Sequence, residues 1–198
     1  MSFTVLGIKI NISVPFAVVI SFLLVSDKTG LMSASLFAVF FHEIGHLTAM
    51  KLLNCIPKEI KLGFGGILIV GNSYCTIKEN IIIAVSGPFS NLLFTLVFWL
   101  IGYNFDLYIF KAHAIVGFIV GVVNLLPIES LDGGTVLRFC LLKFNIIRHS
   151  MICTVVSIIT ACVITVLGIV VFQKNVSNPS LLLLGIYLII INSYRLGQ

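Results

Sequence analysis

Charged residues are scarce in this chain. Only 10% of its 198 residues are Asp, Glu, Lys or Arg, and just seven are acidic, whereas a soluble domain carries about 25%. With 59% apolar residues and a mean hydropathy of +1.18, the chain has too little polar surface to face water on all sides. That excludes soluble enzymes and leaves a polytopic membrane protein. No cysteine pair has CxxC spacing: Cys55, Cys75, Cys140, Cys153 and Cys162 are odd in number and scattered. They read as apolar space-fillers or reduced thiols rather than a disulfide framework. No small-residue cleavage site follows the first apolar run, so no cleavable signal is expected. Repeats, low-complexity tracts and appended soluble domains are also missing. The net charge of +5 does not point to nucleic acid, because its distribution is that of topology signals.

What is present is a series of apolar runs. Six segments are expected as spans: about Ile12–Val25, Leu31–Leu53, Ile81–Gly102, Ala112–Ile128, Met151–Phe172 and Leu181–Ile191. The first and last are shorter than the roughly 20 residues a perpendicular helix needs, so they lean on polar flanks or local thinning. With a cytosolic N-terminus, Lys9, Lys51, Lys58, Lys61, Lys78, Arg138, Lys143, Arg148 and Arg195 gather on one side, against Lys28, Lys111 and Lys174 on the other. This positive-inside bias places both termini in the cytosol of a multi-pass cell-membrane protein. Two stretches do not read as spans. Phe3 to Ile12 alternates like a strand. The glycine-interrupted run from Ile60 to Gly71 is too short to cross twice, and reads as a strand or hairpin dipping into the cytosolic leaflet. The expected class is therefore an all-α polytopic membrane protein of six helices with a short membrane-associated β element, forming one domain over residues 1–198.

The chemistry lies inside the second span, where the chain reads Phe41-His42-Glu43-Ile44-Gly45-His46. An ionisable cluster in a bilayer is costly, about 2.5–3.5 kcal/mol per charge on insertion scales, and marks a functional site. Residues four apart share a helix face, so His42 and His46 can grip one zinc ion. Glu43 flanks them as a general base toward water.

A catalytic zinc site needs a third protein ligand. Asp27, Glu59, Glu79 and Asp106 fall in loops or at interfaces, leaving Glu129 and Asp132 in the stretch from Asn124 to Gly134. His46 lies five residues before Lys51 and Asp132 six before Arg138, so at about 1.5 Å per residue both sit at one depth inside cytosolic anchors. Pro127 and Gly133-Gly134 are expected to break the fourth helix there.

The HExxH motif, the later Asn124-x-x-Pro127 … Leu131-Asp132-Gly133-Gly134 run, and Gly87-Pro88-Phe89-Ser90-Asn91 opening the third span together resemble the site-2 protease family of intramembrane zinc metalloproteases. The likeness covers about residues 31–134, implying a three-helix catalytic core there, with flanking helices at about 12–25, 151–172 and 181–191. Without a PDZ insertion or C-terminal regulatory domain, the chain looks like a minimal, sporulation-type member. The resemblance implies zinc ligands His42, His46 and Asp132, with Glu43 as catalytic base and acid. It implies that Asn91 and Asn124 orient the substrate backbone or the oxyanion, and that the Gly63–Gly71 edge pairs with an unwound substrate. The implied partners are a membrane-tethered protein such as a pro-sigma or anti-sigma factor, and a separate membrane regulator.

Two other classes compete. A transporter or metal-handling protein could use the same His/Asp cluster, but transport sites usually recur across inverted halves, and the motif occurs once. A catalytically idle binder would have no use for Glu43. His113 and His149 read as solvated side chains.

Overall fold

A computed structural model of the protein describes residues 2–5, 8–12, 21–22, 24–55, 59–63, 66–70, 75–174 and 179–196. Most of the expected first span, 12–25, lies outside the described residues. Two compact units divide the chain, Met1–Gly121 and Val122–Gln198.

In the first unit, strands β1 (Ser2–Val5) and β2 (Ile8–Ile12) precede helix α1 (Leu31–Leu52), and β3 (Glu59–Gly63) and β4 (Gly66–Val70) lead to α2 (Ile77–Asn104). Helix α3 (Tyr108–Asn124) follows. The strands form one sheet in the order β1-β2-β3-β4. Where one strand was expected over 3–12, two run antiparallel, Phe3 opposite Ile10. β2 and β3 are parallel, with Ile10 beside Ile60, and the β3–β4 hairpin sets Ile60 against Ile69. Sequentially remote hairpins are thus joined into one sheet, with β4 as an outer strand.

Helix α1 starts under the control of Asp27. Its carboxylate accepts from the Thr29, Gly30 and Met32 N–H groups at 2.9, 3.1 and 2.7 Å, satisfying donors that a helix start leaves open. The Thr29 hydroxyl, donating at 2.7 Å, is the chief reason the carboxyl pKa falls from 3.8 to about 2. Helix α2 begins earlier than its apolar run because Thr76 and Glu79 form a capping box, Glu79 accepting from the Thr76 N–H at 2.6 Å. Near these helix ends Cys55 and Cys75 form a disulfide, contrary to the expectation of unpaired thiols. The chain between them leaves and returns as a hairpin, bringing residues 20 apart in sequence to a Cα separation of 5.9 Å.

In the second unit, a turn over 125–131 leads into α4 (Asp132–Lys143), then α5 (His149–Lys174) and α6 (Ser180–Leu196). Helix α3 stops at Asn124 rather than continuing to Ile128, and α4 is an additional short helix. Gly133 and Gly134 do not break a helix; they lie in the first turn of α4. A Cβ at either would collide with backbone of the 125–129 turn, so the pair allows α4 to start directly on that turn. Ile128 is fully buried against Ala161, Ile164 and Leu188.

Helix α2 and the span His149–Gln173 are long and apolar enough to cross a bilayer. Their large apolar side chains face outward, among them Leu93, Leu96, Trp99 and Leu100 on α2 and Ile159, Val163 and Val166 on α5. Such surfaces require lipid as solvent. The chain is a membrane protein.

Candidate metal centre

The site begins with how closely α1 approaches α2. Gly45 faces Ser86 so tightly that a Cβ would come within 2.7 Å of the Ser90 Cβ. The Ser90 hydroxyl donates to the Phe41 carbonyl at 2.7 Å, tying the two helices beside the HExxH turn. Across this contact Gly87 lies under the imidazoles. A Cβ there would fall on the His46 ring and 2.9 Å from His42 Cε1. Gly87 is thus the flat floor on which both rings rest.

His42 and His46 are 6% and 7% exposed, so water satisfies little of their polarity and protein groups must. His46 Nδ1 lies 2.8 Å from the Ile83 carbonyl. A carbonyl only accepts, so Nδ1 carries the hydrogen and Nε2 keeps its lone pair. The same Ile83 carbonyl also accepts from the Ser86 hydroxyl at 2.6 Å, while Pro88, within α2, has no N–H to give to the Ala84 carbonyl one turn earlier. His42 Nδ1 lies 3.1 Å from the Asn91 amide nitrogen. The two Nε2 atoms then converge, 3.1 Å apart.

That separation suits a metal. Two nitrogens at about 2.0–2.1 Å from a tetrahedral zinc lie about 3.3 Å from each other. Both outer ring nitrogens are held by protein partners, the arrangement that orients metal-ligating imidazoles. The donor pair therefore fits zinc.

Glu43 is half-buried on the next position of α1. The Asn91 side-chain amide faces the His42 ring. In the second unit, Asp132 is the first residue of α4, where the positive end of the helix favours a carboxylate, and its Oδ2 is shielded from solvent. Glu129 is engaged elsewhere: it accepts from the Thr154 hydroxyl at 3.4 Å, while its N–H donates to Ser157 Oγ at 2.9 Å. It also lines a cleft of about 380 Å³ with Arg138, His149 and Ser150. Asn124 ends α3 and is half-buried. His113 is not solvated: it is 7% exposed, stacked on Phe98 and edge-on to Phe37. Its interior place follows from the Phe37 ring of α1 and the Phe98 ring of α2, which pack against it.

No family model matches the chain. It is 26% identical over 157 residues to the zinc metalloprotease MJ0392 of Methanocaldococcus jannaschii, an alignment covering 71% of this chain. The chain spans 45% of that relative's length. Among solved structures, the site-2 protease from Methanocaldococcus jannaschii superposes with a TM-score of 0.68 at 20% identity, covering 98% of this chain and 94% of that one. The HExxH histidines stand on this scaffold in metal-binding geometry, and the chain has the fold of a site-2 protease.

Proposed function

We infer that this protein is an intramembrane zinc metalloendopeptidase, hydrolysing a peptide bond in or near the transmembrane segment of a membrane-tethered protein. The observation that carries this reading is the buried imidazole pair, with Nε2 atoms 3.1 Å apart and Glu43 beside them. His42, His46 and Asp132 would hold the metal. Each offers a ligand atom of the kind zinc takes, an imidazole nitrogen twice and a carboxylate oxygen once. Bound zinc supplies Lewis-acid polarisation of a carbonyl and a lowered pKa for water.

The remaining work belongs to the chain. Glu43 takes a proton from the attacking water and returns it to the leaving amine. Asn124 hydrogen-bonds the substrate backbone or the developing oxyanion. A helical substrate hides its peptide bonds and must unwind, and its freed backbone needs partners inside a membrane. β4 is an outer strand of the sheet, and outer strands accept peptides by β-addition. Six spans, both termini in the cytosol and a sheet lying in the cytosolic leaflet complete this topology. A product freed on that side suits a tethered pro-sigma or anti-sigma factor, as in sporulation signalling, with a separate membrane protein as regulator.

The test is co-expression with single-span tethered substrates. Glu43→Gln should keep its zinc while cleavage falls by about 10²–10⁴; undiminished cleavage by that variant would overturn the assignment.

A further inference from the structure

We propose that the cleft between α4 and α5 holds the headgroup of a membrane phospholipid, its phosphate taken by Arg138 and an ethanolamine-type ammonium by Glu129. The inference goes beyond the peptidase reading and does not depend on it.

The cleft lies wholly within the second unit. It has a volume of about 380 Å³ and is lined by Glu129, Thr135, Arg138, Phe139, His149 and Ser150, which is the size of a small-ligand site. Thr135, Arg138 and Phe139 are three and four apart, so one face of α4 forms a wall. Among the described residues the Arg138 guanidinium has no hydrogen-bond or ion-pair partner. Its planar fork of donors matches two oxygens of a phosphate at once. The Ser150 hydroxyl, at the positive end of α5, adds a donor for the same anion.

Glu129 gives the cleft its selectivity. The Thr154 hydroxyl donates to its carboxylate at 3.4 Å, and its backbone N–H donates to Ser157 Oγ at 2.9 Å. A carboxylate accepts at about four lone-pair positions, so these contacts orient Glu129 without exhausting it. Arg138 alone would suit any anion. A carboxylate on the same cleft repels a purely anionic group and favours one that carries its own ammonium beside the phosphate. Phosphoethanolamine has that arrangement.

A separate observation places this chemistry at a lipid surface. The bilayer-length span begins at His149, so the cleft opens where hydrocarbon gives way to headgroups. In the connection from α4 to α5, Phe144 and Ile147 are 73% and 94% exposed, flanked by Lys143 and Arg148. Exposed apolar side chains between basic ones suit a boundary where acyl chains meet phosphates. A soluble phosphoester would gain nothing from that segment, whereas a lipid whose chains lie beside it would.

The test titrates the full chain in detergent with three phospholipids of identical acyl chains and reads bound lipid by native mass spectrometry. Phosphatidylethanolamine should bind about 10-fold more tightly than phosphatidylcholine, whose ammonium has no N–H to donate, and more tightly than phosphatidylglycerol, which has no ammonium. Arg138→Ala should weaken all three lipids by about 10-fold. Glu129→Gln should bring phosphatidylethanolamine down to the level of phosphatidylcholine without weakening phosphatidylglycerol. Thermal unfolding of each variant checks that it is folded; Arg138 is exposed, so its variant keeps the test open should Glu129→Gln fail to fold. Free glycerophosphoethanolamine should compete only in large excess over the lipid. Equal binding of the three lipids, or lipid binding unaltered in Arg138→Ala, overturns the proposal. Preference for phosphatidylglycerol overturns the role of Glu129, and competition by the free phosphoester at lipid-like concentrations overturns the membrane source.

Discussion

Substituting Gly87 by alanine tests the floor of the metal centre more directly than removing a ligand does. The added methyl would stand 2.9 Å from His42 Cε1 and closer still to the His46 ring. Carbon atoms rest at about 3.5 Å or more, so the His42 ring must retreat by about 0.6 Å and His46 by more. Zinc sites hold their ligand distances to within about 0.2 Å. The displacement is about three times that tolerance, and it acts on both imidazoles at once. Zinc affinity should fall by at least the about 10–100-fold seen when an outer partner is lost. A displacement near 1 Å should also lower turnover by about 10².

Helix propensity makes this substitution diagnostic. Alanine is favoured over glycine inside a helix by about 1 kcal/mol, so α2 itself gains from the change. A general loss of stability is therefore not the expected route to failure. The assay pairs chelator-competition zinc titration with thermal unfolding of metal-free protein in detergent. Gly87→Ala should melt within a few degrees of the unaltered chain while binding zinc poorly. A Gly87→Ala protein with full zinc affinity and full cleavage would show that the rings do not rest on Gly87.

Four further outcomes are expected. Gly45→Ala, which meets Ser86 backbone and Ser90 rather than the rings, should lower the melting temperature, read by thermal unfolding. Asp132→Asn should cost more zinc affinity than the about 10–100-fold of an outer-partner loss, whereas Glu129→Gln, held by Thr154, should leave zinc content unchanged by metal analysis. Alkylation of unfolded, unreduced protein should label three cysteines, Cys140, Cys153 and Cys162, and mass spectrometry finding all five labelled would remove the Cys55–Cys75 bond. Because the Asp27 pKa is lowered in the folded protein to about 2, its contribution to stability is complete above its ordinary value of 3.8 and is lost as pH falls toward 2. The difference in melting temperature between the unaltered chain and Asp27→Ala should accordingly shrink over that window, and a difference constant with pH would sink the capping argument.

The parts of this site that were legible in the sequence are those whose chemistry is local. Two histidines four apart on a helix are a statement about one turn of backbone, so His42 and His46 needed no tertiary information. The same holds for the two long apolar helices, whose lengths follow from bilayer thickness. What escaped depends on pairs far apart in the chain. Asn91 lies 49 residues from His42, and an asparagine in an apolar helix is equally at home bonding substrate, a neighbouring helix or a ring. One signal was nevertheless present. Gly87 and Asn91 are themselves four apart, so a residue with no side chain and one with an amide share a face of α2. That face has room for two flat rings and one hydrogen bond to fix them. Reading it requires asking what a gap beside an amide would accommodate, rather than which motif contains it. The disulfide had no such signal, because nothing in either cysteine's neighbourhood reports where a hairpin will close. Helix α4 was hidden for a different reason. Twelve residues carrying Asp132, Arg138 and Lys143 fail any test for a span, and a search for spans takes the remainder as loop. Asp132 owes its setting to that short helix: a carboxylate at a helix start is favoured by the backbone dipole, while the same residue in an open loop would be oriented by nothing. The histidines are placed by their own helix, and the aspartate by a turn that only Gly133 and Gly134 are small enough to permit.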